Sequence, residues 1–196
     1  MSKGKKIALF AIFAAIVIVV QILSTVVGKI FVIVAPTLAF VPILLAVITL
    51  GLWQGVGLGA VFSLVAMIFV VTGYDSFSYL MFSDQPVLTI LLIFVKGCAA
   101  PLVAGLVYNA LKFKLPKVSI WITSALLPIV NTGIFCIGTL LFYRGFLLNI
   151  FPSNGVFYTV FISLCGINFI VEFFVNLILT PVITDVKKVV ENNNLV

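Results

Sequence analysis

The sequence predicts an all-α integral membrane protein, a six-transmembrane-helix bundle with N and C termini cytoplasmic. Three observations lead there. Of 196 residues, 64% are hydrophobic and 8% charged, where soluble domains carry about 45–50% and about 25%. Such a chain has too few polar side chains to cover a water-facing surface. Apolar runs long enough to cross about 30 Å of hydrocarbon recur along it. Lysines gather at alternate ends of those runs, as they do where loops are retained in the cytoplasm.

The first span is expected at 7–27, behind Lys3, Lys5 and Lys6. The stretch "KGKKIALFAIFAAIVIVV" has the charged start and apolar run of a secretory signal. No small-x-small cleavage site precedes a soluble domain, however, and five more runs follow, so it reads as an uncleaved helix. The second span, 30–50, carries Pro36 and Pro42, which are expected to kink or break it. Only "TLGLWQG" separates it from the third, 53–73. The fourth (86–111) and fifth (118–142) contain Pro101 and Pro128, whose freed backbone groups neighbouring helices can satisfy. The sixth is placed at 156–183. No shift of composition marks a soluble domain, so residues 1–196 are expected to form one transmembrane domain.

With six spans, Lys3, Lys5, Lys6, Lys112, Lys114, Lys117, Lys187 and Lys188 all fall on one side, the cytoplasmic one by the positive-inside rule. Lys29, Arg144, Asp75 and Asp84 fall on the other. The net charge of +6 is thus a topology signal in a multi-pass protein of the cell membrane, with the lipid bilayer as its partner and no nucleic acid. Two connections, "TGYDSFSYLMFSDQP" and "YRGFLLNIFPSNG", are predicted to be outer loops. They read either as an interfacial aromatic belt or as lids over an outward pocket.

Several chemistries are excluded. The chain has no histidine, which removes imidazole-based nucleophile activation and most imidazole metal sites. Cys98, Cys136 and Cys165 lie in apolar runs without a C-x-x-C pair and read as packing residues. No cofactor or metal is expected. Gly51, Gly55, Gly59 and Ser63 repeat every four residues, a stripe that lets helix backbones approach in lipid. "GVGLGA" lacks the third glycine, preceding strand and acidic partner of a dinucleotide fingerprint, and no G-x-x-x-x-G-K-[ST] sequence occurs. The chain cannot by itself be a P-loop ATPase.

The polar residues inside the spans say most. An ionisable group at mid-bilayer costs about 2.5–3.5 kcal/mol or more, so such groups face the interior. Lys96 lies on span four, Asn131 and Thr132 on span five. Asn168, Glu172 and Asn176 recur every four residues on span six and share a helical face. A rise of about 1.5 Å per residue places Lys96, Asn131 and Asn168 in the central and outer membrane, with Glu172 and Asn176 deeper. Three roles stand for Lys96 and Glu172: an ion pair pinning two spans, contact with a ligand, or proton coupling by Glu172. On span one, Ala8, Ala11 and Ala15 form a small-residue face that serves either internal packing or docking of another membrane subunit.

Four segments, "VPILLAVITLGLWQGVGLGAVFSL", "LIFVKGCAAPLVAGLVYNALKFK", "VNTGIFCIGTLLFY" and "GINFIVEFFVNLILTPVI", together with length and span count, make the chain resemble the substrate-binding S components of energy-coupling-factor (ECF) vitamin transporters. The resemblance implies a six-helix bundle that binds a vitamin or related micronutrient near the outer surface. It further implies a separate transmembrane coupling subunit and two cytoplasmic ATPase subunits of an ABC-type importer. In that family an A-x-x-x-A motif on the first helix docks the coupling subunit. Ala11 and Ala15 match it, and Ala8 extends the face. The resemblance also implies that the S component topples in the membrane during transport.

On this reading the ligand-binding residues are Lys96, Asn131, Thr132, Asn168, Glu172, Tyr79 and Arg144. Lys96 or Arg144 would hold a carboxylate and the amides would bind hydroxyl or amide groups, which suits pantothenate. The pocket residues of the riboflavin, thiamine and biotin members are not recognisable. The alternatives are a stand-alone small-solute transporter or channel, against which the lack of an inverted repeat argues, and an intramembrane enzyme, for which no second intramembrane acid or acidic metal cluster is present. The chain is not expected to be an enzyme.

Overall fold

A computed structural model describes residues 3–31, 38–150, 155, 160 and 166–192. Among these the secondary structure is helical: α1 (Lys3–Phe31), α2 (Phe40–Thr49), α3 (Leu52–Val71), α4 (Ser76–Asp84), α5 (Pro86–Leu111), α6 (Pro116–Phe142), α7 (Arg144–Ile150) and α8 (Gly166–Asn192). Helices α1, α3, α5, α6 and α8 are long and apolar enough to cross a membrane.

The boundaries follow from local chemistry. Pro86 and Pro116 open α5 and α6 at the first helical position, where no N–H is needed and φ is already set. Gly73, with φ +74°, closes α3. The N–H of Asp75 reaches back to the Phe69 carbonyl at 3.2 Å, a left-handed cap that glycine adopts without strain. Asp75 then caps α4, accepting from the Ser78 N–H at 3.1 Å and the Ser78 hydroxyl at 2.6 Å. Both predicted outer loops therefore contain short helices, α4 and α7. The Asp75 cap was the available sign for α4.

Two predicted spans differ. The second is represented among the described residues by ten-residue α2, about 15 Å long, with residues 32–37 outside the description. Pro42 sits in its first turn, where proline is tolerated, so it starts a helix instead of breaking one. The sixth predicted span ended at residue 183, but α8 continues to Asn192. Its last turns are held on the polar side by the Lys188–Asp185 pair, 2.9 Å apart.

Helix α5 is central, packing most extensively on α6 and then on α3. Both run antiparallel to it. Along α3, Leu52 lies against Gly105 and Ser63 bonds the Ile93 carbonyl at 3.1 Å. Along α6, the Gln85 amide donates to the Phe142 carbonyl at 3.2 Å. The glycine stripe does what its spacing suggested. A Cβ on Gly59 would overlap the Gly97 carbonyl, and one on Gly97 would overlap the Ser63 hydroxyl. Gly51 is the exception, turning the chain from α2 to α3 at φ +114°.

This register brings the lysine groups to one end. Lys112, after α5, and Lys187, on α8, lie 5.9 and 6.0 Å from the centre of the Tyr108 ring. Lys114 and Lys117 flank the start of α6, and Phe10 of α1 packs on Gly57 near the start of α3. We call this the basic end.

Candidate functional site

Among the described residues, apolar clusters pack towards both ends of the bundle. Phe40, Leu58, Phe62, Ala100, Ala104, Tyr108, Ile120, Leu127 and Ile183 belong to the one nearer the basic end. Leu92, Met81 and Tyr143, with Phe77, Phe135 and Phe146 against them, form the opposite one. Between them on α5 comes Lys96, after Leu92 and before Ala100. Between them on α6 comes Asn131, after Leu127 and before Phe135. At about 1.5 Å per residue, Lys96 stands about 18 Å above Tyr108, Asn131 about 22 Å above Pro116 and Glu172 about 22 Å above Lys187. Glu172 is therefore level with Lys96 and Asn131. It is not deeper, because α8 extends past its predicted end.

The layer is polar and interior. Asn131 and Glu172 are each 7% exposed and Asn176 is fully buried. The Lys96 ammonium sits over the Phe135 ring, 4.4 Å from its centre, close enough for the ring quadrupole to stabilise the cation. On α8 the buried face continues as a ladder. The Asn176 side-chain amide donates to the Glu172 backbone carbonyl, and the Thr180 hydroxyl donates to the Asn176 backbone carbonyl, each at 2.9 Å.

Because its nitrogen makes that bond, the orientation of the Asn176 amide is fixed, and Oδ1 points elsewhere. Among the described residues neither Asn176 Oδ1 nor Asn131 Oδ1 has a hydrogen-bond partner, and the same holds for the buried hydroxyls of Ser124 and Thr139. A buried acceptor left without a donor costs about 1–3 kcal/mol. Two such carbonyls on adjacent, packed helices are an arrangement that binding of a hydrogen-bond donor would relieve.

The remaining predicted residues are placed as follows. Thr132, half-buried, follows Asn131 on α6. Tyr79 on α4 and Arg144 at the start of α7 are both exposed, at the end opposite the lysines. The side chain of Asn168 lies outside the described residues. Ala8, Ala11 and Ala15 are all exposed on α1, so the small-residue face points away from the bundle. Among the described residues no cluster of acids and cysteines is arranged to hold a metal, and Cys98 is a free thiol. Sequence reasoning passed over Ser124 and Thr139. Only burial without a partner distinguishes them from the hydroxyls that bond their own helix, such as Thr123 to the Ser119 carbonyl at 2.6 Å.

One more polar device lies at the α5–α6 corner. The fully buried Tyr143 hydroxyl contacts Thr89 Oγ1 at 2.7 Å and the Gln85 carbonyl at 3.2 Å. It ties the end of α6 to the first turn of α5.

Fold and site define a multi-pass helical membrane protein with a polar layer held between apolar clusters. Compared with family models, curated proteins and solved structures, the chain finds no match.

Proposed function

We propose that this protein is a membrane-embedded solute-binding subunit of the ECF type. It captures a vitamin or related micronutrient and hands it over with the help of a separate coupling subunit and ATPases. The observation that carries the reading is the pair of buried side-chain carbonyls of Asn131 and Asn176, without a partner among the described residues and level with or just below Lys96 and Glu172. Soluble-protein logic gives no reason to bury such groups in lipid; a bound polar solute does. The convergence of lysines at one end supports cytoplasmic termini. Helices α1 and α3 both start at that end, so the chain between them returns across the bundle. With α2 taking that crossing, the spans number six. The exposed Ala8, Ala11 and Ala15 face would dock the coupling subunit.

Pantothenate suits the layer: its carboxylate would meet Lys96, and its hydroxyls and amide N–H would meet the two Asn carbonyls. The test is calorimetric titration of the purified protein with pantothenate, riboflavin, folate, pyridoxine and a hydroxymethylpyrimidine. Binding of one of these, abolished by Asn131→Leu with Asn176→Leu, supports the proposal. Binding of another but not pantothenate removes only the substrate preference. Vitamin uptake by cells expressing this chain alone would favour a stand-alone transporter instead.

A further inference from the structure

Helix α6 carries a second polar point, about 10 Å nearer the basic end than Asn131 at a rise of about 1.5 Å per residue. Pro128 lies inside α6 and is buried. A proline has no N–H to close the bond to the carbonyl four residues before it, and its ring crowds that carbonyl. Here the released carbonyl belongs to Ser124. The Ser124 side chain is itself fully buried, and among the described residues its hydroxyl has no hydrogen-bond partner. Hydroxyls elsewhere in the bundle turn back on their own helix. Thr49, Thr89, Thr123 and Thr180 each donate to the carbonyl four residues earlier, at 2.6 to 2.9 Å. The Ser124 hydroxyl does not donate to the Ile120 carbonyl in that way. Helix α5 meets the same problem differently. Pro101 releases the Gly97 carbonyl, but the backbone of α3 closes over it, since a Cβ on Gly59 would overlap that carbonyl. At Ser124 the released carbonyl stands beside a hydroxyl instead.

A donor and an acceptor on one residue fit a single water molecule, which needs at least two polar partners. The Ser124 O–H donates to the water oxygen, and one water O–H donates to the Ser124 carbonyl. Ordered water at a released carbonyl is one way in which proline is accommodated inside membrane helices. Relieving two buried polar groups outweighs immobilising one water. We infer that α6 binds a buried water molecule at Pro128, held by the hydroxyl and the backbone carbonyl of Ser124. Water is favoured over a hard cation, which takes about six or more oxygen ligands and leaves no use for the hydroxyl proton. Ile120 and Leu127, on either side of Ser124 along α6, belong to the apolar core, so the water is enclosed below the solute layer.

The experiment is X-ray hydroxyl-radical footprinting of the full chain in nanodiscs, read residue by residue by mass spectrometry. Radicals formed from a bound water label the side chains beside it, so a buried leucine is labelled only where water is held. Leu127 and Leu58 are both fully buried, and Leu127 follows Ser124 by about one turn of α6. In the wild type Leu127 is expected to be labelled and Leu58 to stay unlabelled. S124A/P128A removes the hydroxyl and restores an N–H to the helix ladder, and is expected to lose the Leu127 label. S124A alone keeps the proline, checks for an effect of refolding around residue 128, and is expected to lower the label. N131L/N176L alters only the solute layer and is expected to keep it. A wild-type Leu127 labelled no more than Leu58 would overturn the site, and so would undiminished labelling in both Ser124 variants. Loss of the label in N131L/N176L would assign the water to the solute layer and overturn it too. No readout requires a bound solute, so the outcome is independent of the proposed function.

Discussion

The Lys96 ammonium rests 4.4 Å from the centre of the Phe135 ring, a cation from α5 laid on an aromatic from α6 at the boundary between polar layer and apolar cluster. The ring belongs to the apolar packing around Leu92, Met81 and Tyr143, so the charge is positioned by the core itself. Truncating each partner separates positioning from charge. Lys96→Met is expected to weaken solute affinity at least tenfold in titration. Phe135→Leu keeps the charge but loses a contact worth about 0.5–1 kcal/mol, and is expected to weaken affinity only about two- to fivefold.

Stability and function should move in opposite directions at Asn131. Its Oδ1 is buried without a partner, so replacing the amide by an apolar group of similar size removes a cost of about 1–3 kcal/mol. Asn131→Leu is expected to raise the thermal midpoint in detergent and to abolish solute binding. A lowered midpoint together with intact binding would show that the amide is structural.

The α3–α5 contact depends on two backbones meeting. Gly59→Leu and Gly97→Val each force a side chain into the opposing helix. Overpacking of this kind costs about 1–3 kcal/mol, more where backbone is in the way. Both are expected to lower the midpoint and the yield of folded protein. Gly133 meets nothing within 4 Å, so Gly133→Ala is expected to be neutral or slightly stabilising, by up to about 1 kcal/mol.

The α5–α6 corner carries a pH dependence. Burial pushes the Tyr143 phenol above its usual value; the hydrogen bond from Thr89 opposes the shift and the nearby Asp84 carboxylate adds to it. The folded state therefore keeps this proton longer than the unfolded chain. Its contribution is full below the unfolded phenol value of about 10 and is lost as pH rises through the higher folded value. Melting curves of the wild type between pH 8 and about 11 are expected to fall more steeply than those of Tyr143→Phe. At pH 7 the variant is expected to be less stable by about 1 kcal/mol, one hydrogen bond.

Much of the fold was legible because lipid enforces it. The Pro86–Leu111 span was read to the residue, since a proline opens it and a lysine follows it. The lysines of the basic end were readable for the same reason. How far α2 reaches was not legible, because Val41 to Ile48 is apolar and hydropathy cannot separate a full crossing from a short buried helix. The loop helices were missed because α4 mixes Ser, Phe and Tyr without periodicity. At the site, Lys96, Asn131 and Glu172 were legible as groups that lipid rejects. Their common level was not, because it depends on where α8 ends, and Asp185 and Lys188 carry that helix beyond the apolar run.

The account rests on the Lys96–Asn131–Asn176–Glu172 layer holding a small polar solute. Native mass spectrometry of protein purified from cells without added ligand tests this most directly. A vitamin-sized mass adduct, present on the wild type and absent from the Asn131→Leu/Asn176→Leu protein, is expected. A wild-type protein that carries no adduct, and gains none when a panel of vitamins is supplied, would contradict it.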